Sequence, residues 1–157
     1  MTLNKARCLI LACGNTLRGD DGIGPWLAQW AEERFEDESG VRVLSRQQWT
    51  LELAEEIAAA ETVLFLDCSV TDAPGSVSIV EVQPAAVEGL ATHRLGAPEL
   101  LGLARKLYDS LPRTALQMTV GAGSMELSEQ FSQPVLDAIP LACAKVEETV
   151  ARLLAGA

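Results

Sequence analysis

The chain has no apolar run near the roughly 18 residues that cross a bilayer, so no helical membrane span is expected. Met1 to Arg7 is short and leads straight into an apolar stretch, so a signal peptide is not expected either. Positive charge is scarce: 12 Lys and Arg stand against 22 Asp and Glu, a formal net charge of −10. That balance argues against nucleic acid and anionic membrane surfaces as partners. The four cysteines, Cys8, Cys13, Cys68 and Cys143, form no C-x-x-C pair. Scattered in this way they suit small buried residues in a reducing cytoplasm, and argue against a disulfide framework. Linkers, low-complexity tracts and internal repeats are absent, and one domain is expected over residues 1–157.

What is present is concentrated between Cys8 and Leu27. Cys8 to Cys13 is a continuous apolar run ending at Gly14-Asn15, the pattern of a strand buried on both faces that runs out into a turn. Cys8 and Cys13, five residues apart, point to opposite faces of that strand. Asp20 and Asp21 follow in a glycine-punctuated loop, and a helix begins near Gly22 with Ile23, Leu27, Trp30 and Phe35 along one face. In an open parallel sheet this junction is where ligands bind. The glycines at 14, 19, 22 and 24 do not fit the dinucleotide spacing, and two carboxylates would repel phosphate. A plainer reading has one acid capping the helix and the other favouring its dipole.

Further along, strands and helices alternate. Val41 to Leu44 and Thr62 to Leu66 read as strands, the latter ending at Asp67. Between them Thr50 is placed to cap a helix that buries Leu53 and Ile57. Ser76 to Val82 follows after only a short turn and is expected to pair antiparallel at an edge. A loop from Gln83 to Ala97 carries the only histidine, His93, before a helix opened by Pro98 and Glu99. Ala115 to Val120 is the fifth strand, and a last helix runs from Pro134 to about Leu154, with Pro140 expected to kink or restart it. The pattern predicts an α/β fold, a three-layer α/β/α sandwich with a mostly parallel sheet of about five strands.

In such a sheet Asp20 and Asp21 should neighbour Asp67 if the first and third strands are adjacent. With His93 they could form a three-ligand site with open positions for a divalent transition metal. The simpler alternatives are that Asp67 caps a turn and that His93 is an ordinary loop residue.

The stretch Gly14-Asn15-Thr16-Leu17-Arg18-Gly19-Asp20-Asp21-Gly22-Ile23-Gly24 closely resembles the opening motif of the hydrogenase maturation proteases. These endopeptidases remove a C-terminal extension from the large-subunit precursor of nickel–iron hydrogenases after nickel insertion. The resemblance implies the same α/β/α architecture and a nickel-binding trio that maps to Asp21, Asp67 and His93, catalytic and metal-contacting at once. It implies that the nickel is the substrate's own, with zinc or cadmium able to substitute. The implied partner is the precursor protein, met by a monomer in the cytoplasm. Asp20 matches the motif's first acid and is assigned to the loop, so Asp20→Asn should harm cleavage less than Asp21→Asn. Asn15 should hold the loop through side-chain hydrogen bonds.

Many relatives carry an Asp-Gly-Gly-Thr loop after the second strand, where this chain has Ser45-Arg46-Gln47-Gln48-Trp49-Thr50. Gln48, Glu52, Leu53 and the surroundings of His93 resemble a branch serving cytosolic cofactor-linked hydrogenases. Gln48 and Trp49 are expected to grip substrate, or else Trp49 staples the next helix. Two oxygens and an imidazole bind nickel more weakly than the thiolates that hold it in a hydrogenase, so the site could inspect the metal without removing it. Two other functions compete: a cysteine hydrolase with Cys68 as nucleophile and His93 as base, and a non-catalytic binding module or chaperone. Against a nucleotide-binding module stands the lack of an acid at the end of the second strand, where Ser45-Arg46 lies.

Overall fold

A computed structural model describes residues 5–87 and 95–156. Five strands, β1 (Cys8–Cys13), β2 (Val41–Arg46), β3 (Thr62–Ser69), β4 (Val77–Glu81) and β5 (Thr114–Gly121), form one sheet in the order β2-β1-β3-β5-β4. All pairings are parallel except β4 with β5, so the expected antiparallel edge is present. The helices are α1 (Ile23–Arg34), α2 (Leu53–Ala59), α3 (Ala97–Tyr108) and α4 (Gln133–Leu154).

The two faces of the sheet build two cores. Cys8, Ile10, Ala12, Leu64 and Leu66 pack beneath α1 and α4. Leu9, Leu11, Val63 and Phe65 pack beneath α2 and α3. Strict alternation of neighbouring residues between faces requires apolar residues at every position, which is why β1 reads as an unbroken apolar run. Cys8 and Cys13 fall on opposite faces, as their spacing predicts. The fold is the expected three-layer α/β/α sandwich.

The strand order fixes where a site can form. From β1 the chain crosses through α1 to β2 on one side, and β3 then lies on the other side of β1. The connections therefore diverge between β1 and β3, and that divergence opens a crevice beyond their carboxyl ends.

Two local expectations need correction, and of the two effects expected of Pro140 one is excluded. The Thr50 side chain makes no cap; α2 starts at Leu53 after Glu52, which already has helical dihedrals, and the Thr50 carbonyl accepts from Leu53 N. Burial of Trp49 and Leu53 sets that start instead. Pro140 does not restart α4, which is one helix of 22 residues. It lies on the exposed side, where water can serve the carbonyl that its missing N–H leaves free. Finally, β3 continues past Asp67 to Ser69 because β5 pairs with it over its full length. Its ladder with β1 stops at Ala12 opposite Leu66, so Asp67 is the first residue that β1 leaves uncovered.

Candidate functional site

β1 ends at Gly14, whose φ of +151° and tight surroundings admit no side chain. A Cβ there would lie 1.9 Å from the Asp21 carbonyl oxygen. Gly24 lets α1 sit directly on the strand ends; a Cβ would come within 2.3 Å of the Cys13 carbonyl oxygen. Between them Asn15 organises the turn, its Oδ1 accepting from Leu17 N at 2.9 Å, as expected of that residue. The acidic pair then forms a short 3-10 turn, Gly19–Gly22, that leads into α1.

The two adjacent acids have opposite environments. Asp20 is fully buried and accepts four hydrogen bonds, from Gly123 N, Ser124 N, Ser132 N and Ser132 Oγ, at 2.7–2.8 Å. Burial alone would raise its pKa, but the donors of Ser132, Ser124 and Gly123 outweigh it and hold the carboxyl below its ordinary value. Its partners belong to the loop between β5 and α4, which also bonds to the motif through Gly19 N to Ser128 O and Ser128 N to Leu17 O. Nothing in the local sequence signals this strap, because the partners lie 103 to 112 positions away.

Asp21 is half-buried, and its Oδ2 accepts a hydrogen bond from Asn15 N at 2.7 Å. Asp67 is also half-buried, with Oδ1 accepting from Cys68 N at 2.7 Å and its carboxylate engaged by the Cys13 thiol. Cys13 would follow Ala12 in the β1–β3 register, so it lies across from Asp67 on the same face. Burial first, then the charges of Asp67 and Asp21, push the Cys13 thiol up, and both carboxylates also act on Cys68, so each lies within electrostatic reach of these two strand-end thiols. His93 lies outside the described residues. Among the described residues no group of three His, Cys, Asp or Glu side chains could hold a metal ion.

The environment of Cys68 does not favour a nucleophile. Burial first, then the charges of Asp21, Asp67 and Asp20, push its thiol up to about 12, whereas the attacking species is the thiolate. Cys68 instead packs against the core beneath α1 and α4.

The loop after β2 divides in two. Trp49 is 3% exposed, its Nε1 donates to the Ala12 carbonyl at 3.1 Å, and its ring meets Phe65 edge-on at 5.3 Å. It is a core residue, so the expectation that it grips a partner is overturned. Arg46, Gln47 and Gln48 remain exposed, and a cavity of about 300 Å³ runs from Arg46 and Gln47 to Asn15, Leu17 and Pro25.

No protein-family model and no curated protein matches the chain. Solved structures do. The hydrogenase maturating endopeptidase HybD from E. coli is 24% identical, with a TM-score of 0.70 and 93% of each chain covered. The NiFe hydrogenase maturation protease HybD from Thermococcus kodakarensis is 25% identical at TM-score 0.70, over 91% of this chain and 98% of its own. The hydrogenase 2 maturation peptidase from a Thaumarchaeota archaeon is 26% identical at TM-score 0.66, over 92% and 98%. The chain is a structural relative of the hydrogenase maturation proteases. Its likeness to these maturation proteases spans nearly the whole length of every chain compared, so the β1–α1 motif sits within a shared architecture. No described helix is long and apolar enough to cross a membrane.

Proposed function

We propose that this protein is an endopeptidase that removes the C-terminal extension of a nickel–iron hydrogenase large-subunit precursor after nickel insertion. The observation that carries the reading is that Asp21, bonded to Asn15 just past β1, and Asp67, the first β3 residue that β1 leaves uncovered, both lie at the β1–β3 divergence, on a chain built like the maturation proteases. Two half-buried carboxylates anchored by backbone N–H groups have donor chemistry suited to a divalent metal. Asp21, Asp67 and His93 would hold the nickel carried by the precursor, and zinc or cadmium could stand in for it. When bound, the metal supplies a Lewis-acid anchor for the precursor's C-terminal segment. The chain's own contribution is to orient both acids, through Asn15 N on Asp21 and through Cys68 N and the Cys13 thiol on Asp67. The proposed setting is the cytoplasm, and the proposed acting unit is the monomer.

A cleavage assay with nickel-loaded and nickel-free precursor tests this reading. Shortening of the loaded form alone is expected; an intact loaded precursor at every enzyme concentration would reject it. The metal assignment has its own test. His93→Ala should weaken binding of nickel, zinc and cadmium in calorimetric titrations, and unchanged affinity would remove His93 from the trio.

A further inference from the structure

An open groove of about 490 Å³ lies between the first turns of α1 and α4, and nothing in the proposed chemistry uses it. Its walls are Pro25, Trp26 and Gln29 on one side and Glu129, Phe131 and Leu136 on the other. Thr16 and Gly22 close its inner end, so the groove begins at the motif that carries Asp21. Trp26 and Leu136 are 37% and 45% exposed. Leu127, on the strap between β5 and α4, is 87% exposed. Trp26, Phe131 and Leu136, lining one groove beside a candidate site, mark an interaction surface rather than scattered surface residues.

The groove is held rigidly. Its outer wall is the end of the strap, and the buried Asp20 carboxylate fixes that strap through four hydrogen bonds. Gly22 keeps the floor clear, since a Cβ there would lie 3.1 Å from Thr16 Cα and 3.6 Å from the Phe131 ring.

Its charge selects the occupant. Among the described residues Glu129 is the only charged group lining the groove. A shallower depression of about 200 Å³ continues it through Trp26 and Gln29 to Trp30 and Glu33. Among the described residues no lysine or arginine lines either one. A second copy of this chain would bring the same net charge of −10 against these acids and be repelled.

We infer that this groove docks a segment of the protein substrate that combines an apolar side chain with a lysine or arginine. The apolar side chain enters between Trp26 and Leu136, and the cation meets Glu129 and Glu33. The inference rests on the proposed function for the identity of the partner, and it adds a contact separate from the acids at the crevice.

The test uses the full chain carrying Asp67→Asn, so that binding is measured without cleavage, and a nickel-loaded precursor that retains its extension. Leu136→Ser and the pair Glu33→Lys with Glu129→Lys are introduced at exposed positions, with thermal unfolding as the control for folding. Each should weaken precursor binding about tenfold or more, in keeping with loss of one anchor of an interface. The effect of the charge pair should shrink as salt is raised, and that of Leu136→Ser should not. Equal affinity for folded variants and parent overturns the groove, and continued cleavage by the same variants with Asp67 restored leaves the protease reading standing. Weakened binding with a wild-type enzyme that never cleaves supports the groove and rejects the protease reading. Self-association that the same substitutions abolish would assign the groove to a second copy and overturn the inference.

Discussion

Asp20 and Asp21 share a chemistry and a peptide bond, yet the fold treats them as opposites. Asp20 is enclosed, with its oxygens filled by donors from a strap that arrives from the far end of the chain. Asp21 is half-buried and takes one backbone donor from the turn beside it. A carboxylate saturated with hydrogen bonds is a structural anchor, because any further ligand would have to displace them. One with acceptor capacity left at the mouth of a crevice can meet a metal or a substrate. The difference arises from the 3-10 turn, which sends successive side chains in different directions before α1 begins.

Exchanging each acid for its amide tests this division most severely. Asp21→Asn should abolish cleavage of nickel-loaded precursor while leaving the unfolding transition in place, and Asp67→Asn should do the same. Folded variants that cleave at the wild-type rate would end the assignment of these acids.

Asp20→Asn should show the reverse, with the damage in folding. An amide turns one acceptor oxygen into a donor facing donors, and the cost expected is about 2–4 kcal/mol in denaturant unfolding. Stability within experimental error of wild type would show that the strap is held by other means. Impaired cleavage by a fully folded Asp20→Asn protein would show that both acids act in the site.

Acid adds a gentler probe of the same contrast. The Asp20 carboxyl titrates below its ordinary value near 3.8, so the stability it contributes is complete above that value. It is lost as pH falls through the lower, folded-state pKa. The stability gap between wild type and Asp20→Asn should therefore be constant near neutrality and narrow below about pH 4. A gap independent of pH down to the acid transition would contradict the charge-based account.

The smallest effect is expected in the loop after β2. Gln48→Ala should keep the wild-type melting temperature and metal affinity but slow processing of the cognate precursor a few-fold. Unchanged processing across precursor concentrations would take Gln48 off the recognition surface, leaving only Arg46 and Gln47 there.

These tests fall on features that the sequence displays unequally. The alternation of apolar strands with helices was readable because burial on both faces leaves no polar position in β1 or the core of β3. The antiparallel edge was readable from the short turn before β4, which is too brief for a parallel crossover. Trp49 was harder. An aromatic residue in a polar loop has the same sequence signature whether its ring faces a partner or a core, and only Ala12 and Phe65 decide between them. The apolar pattern ends β3 at Asp67, whereas the last residues of the strand are held by β5, more than forty positions away.

The layered α/β fold, the turn after β1 and an acidic pair at a strand–helix junction can all be read from residue order. Each follows from local pattern: apolar runs, glycines where no Cβ fits, and carboxylates a few residues apart. Tertiary structure alone decided that Asp20 faces inward and Asp21 the crevice, that Cys13 reaches Asp67, and that the strap and α1 enclose a groove. Those outcomes depend on which strands lie side by side and on donors a hundred residues away, and no local pattern encodes either.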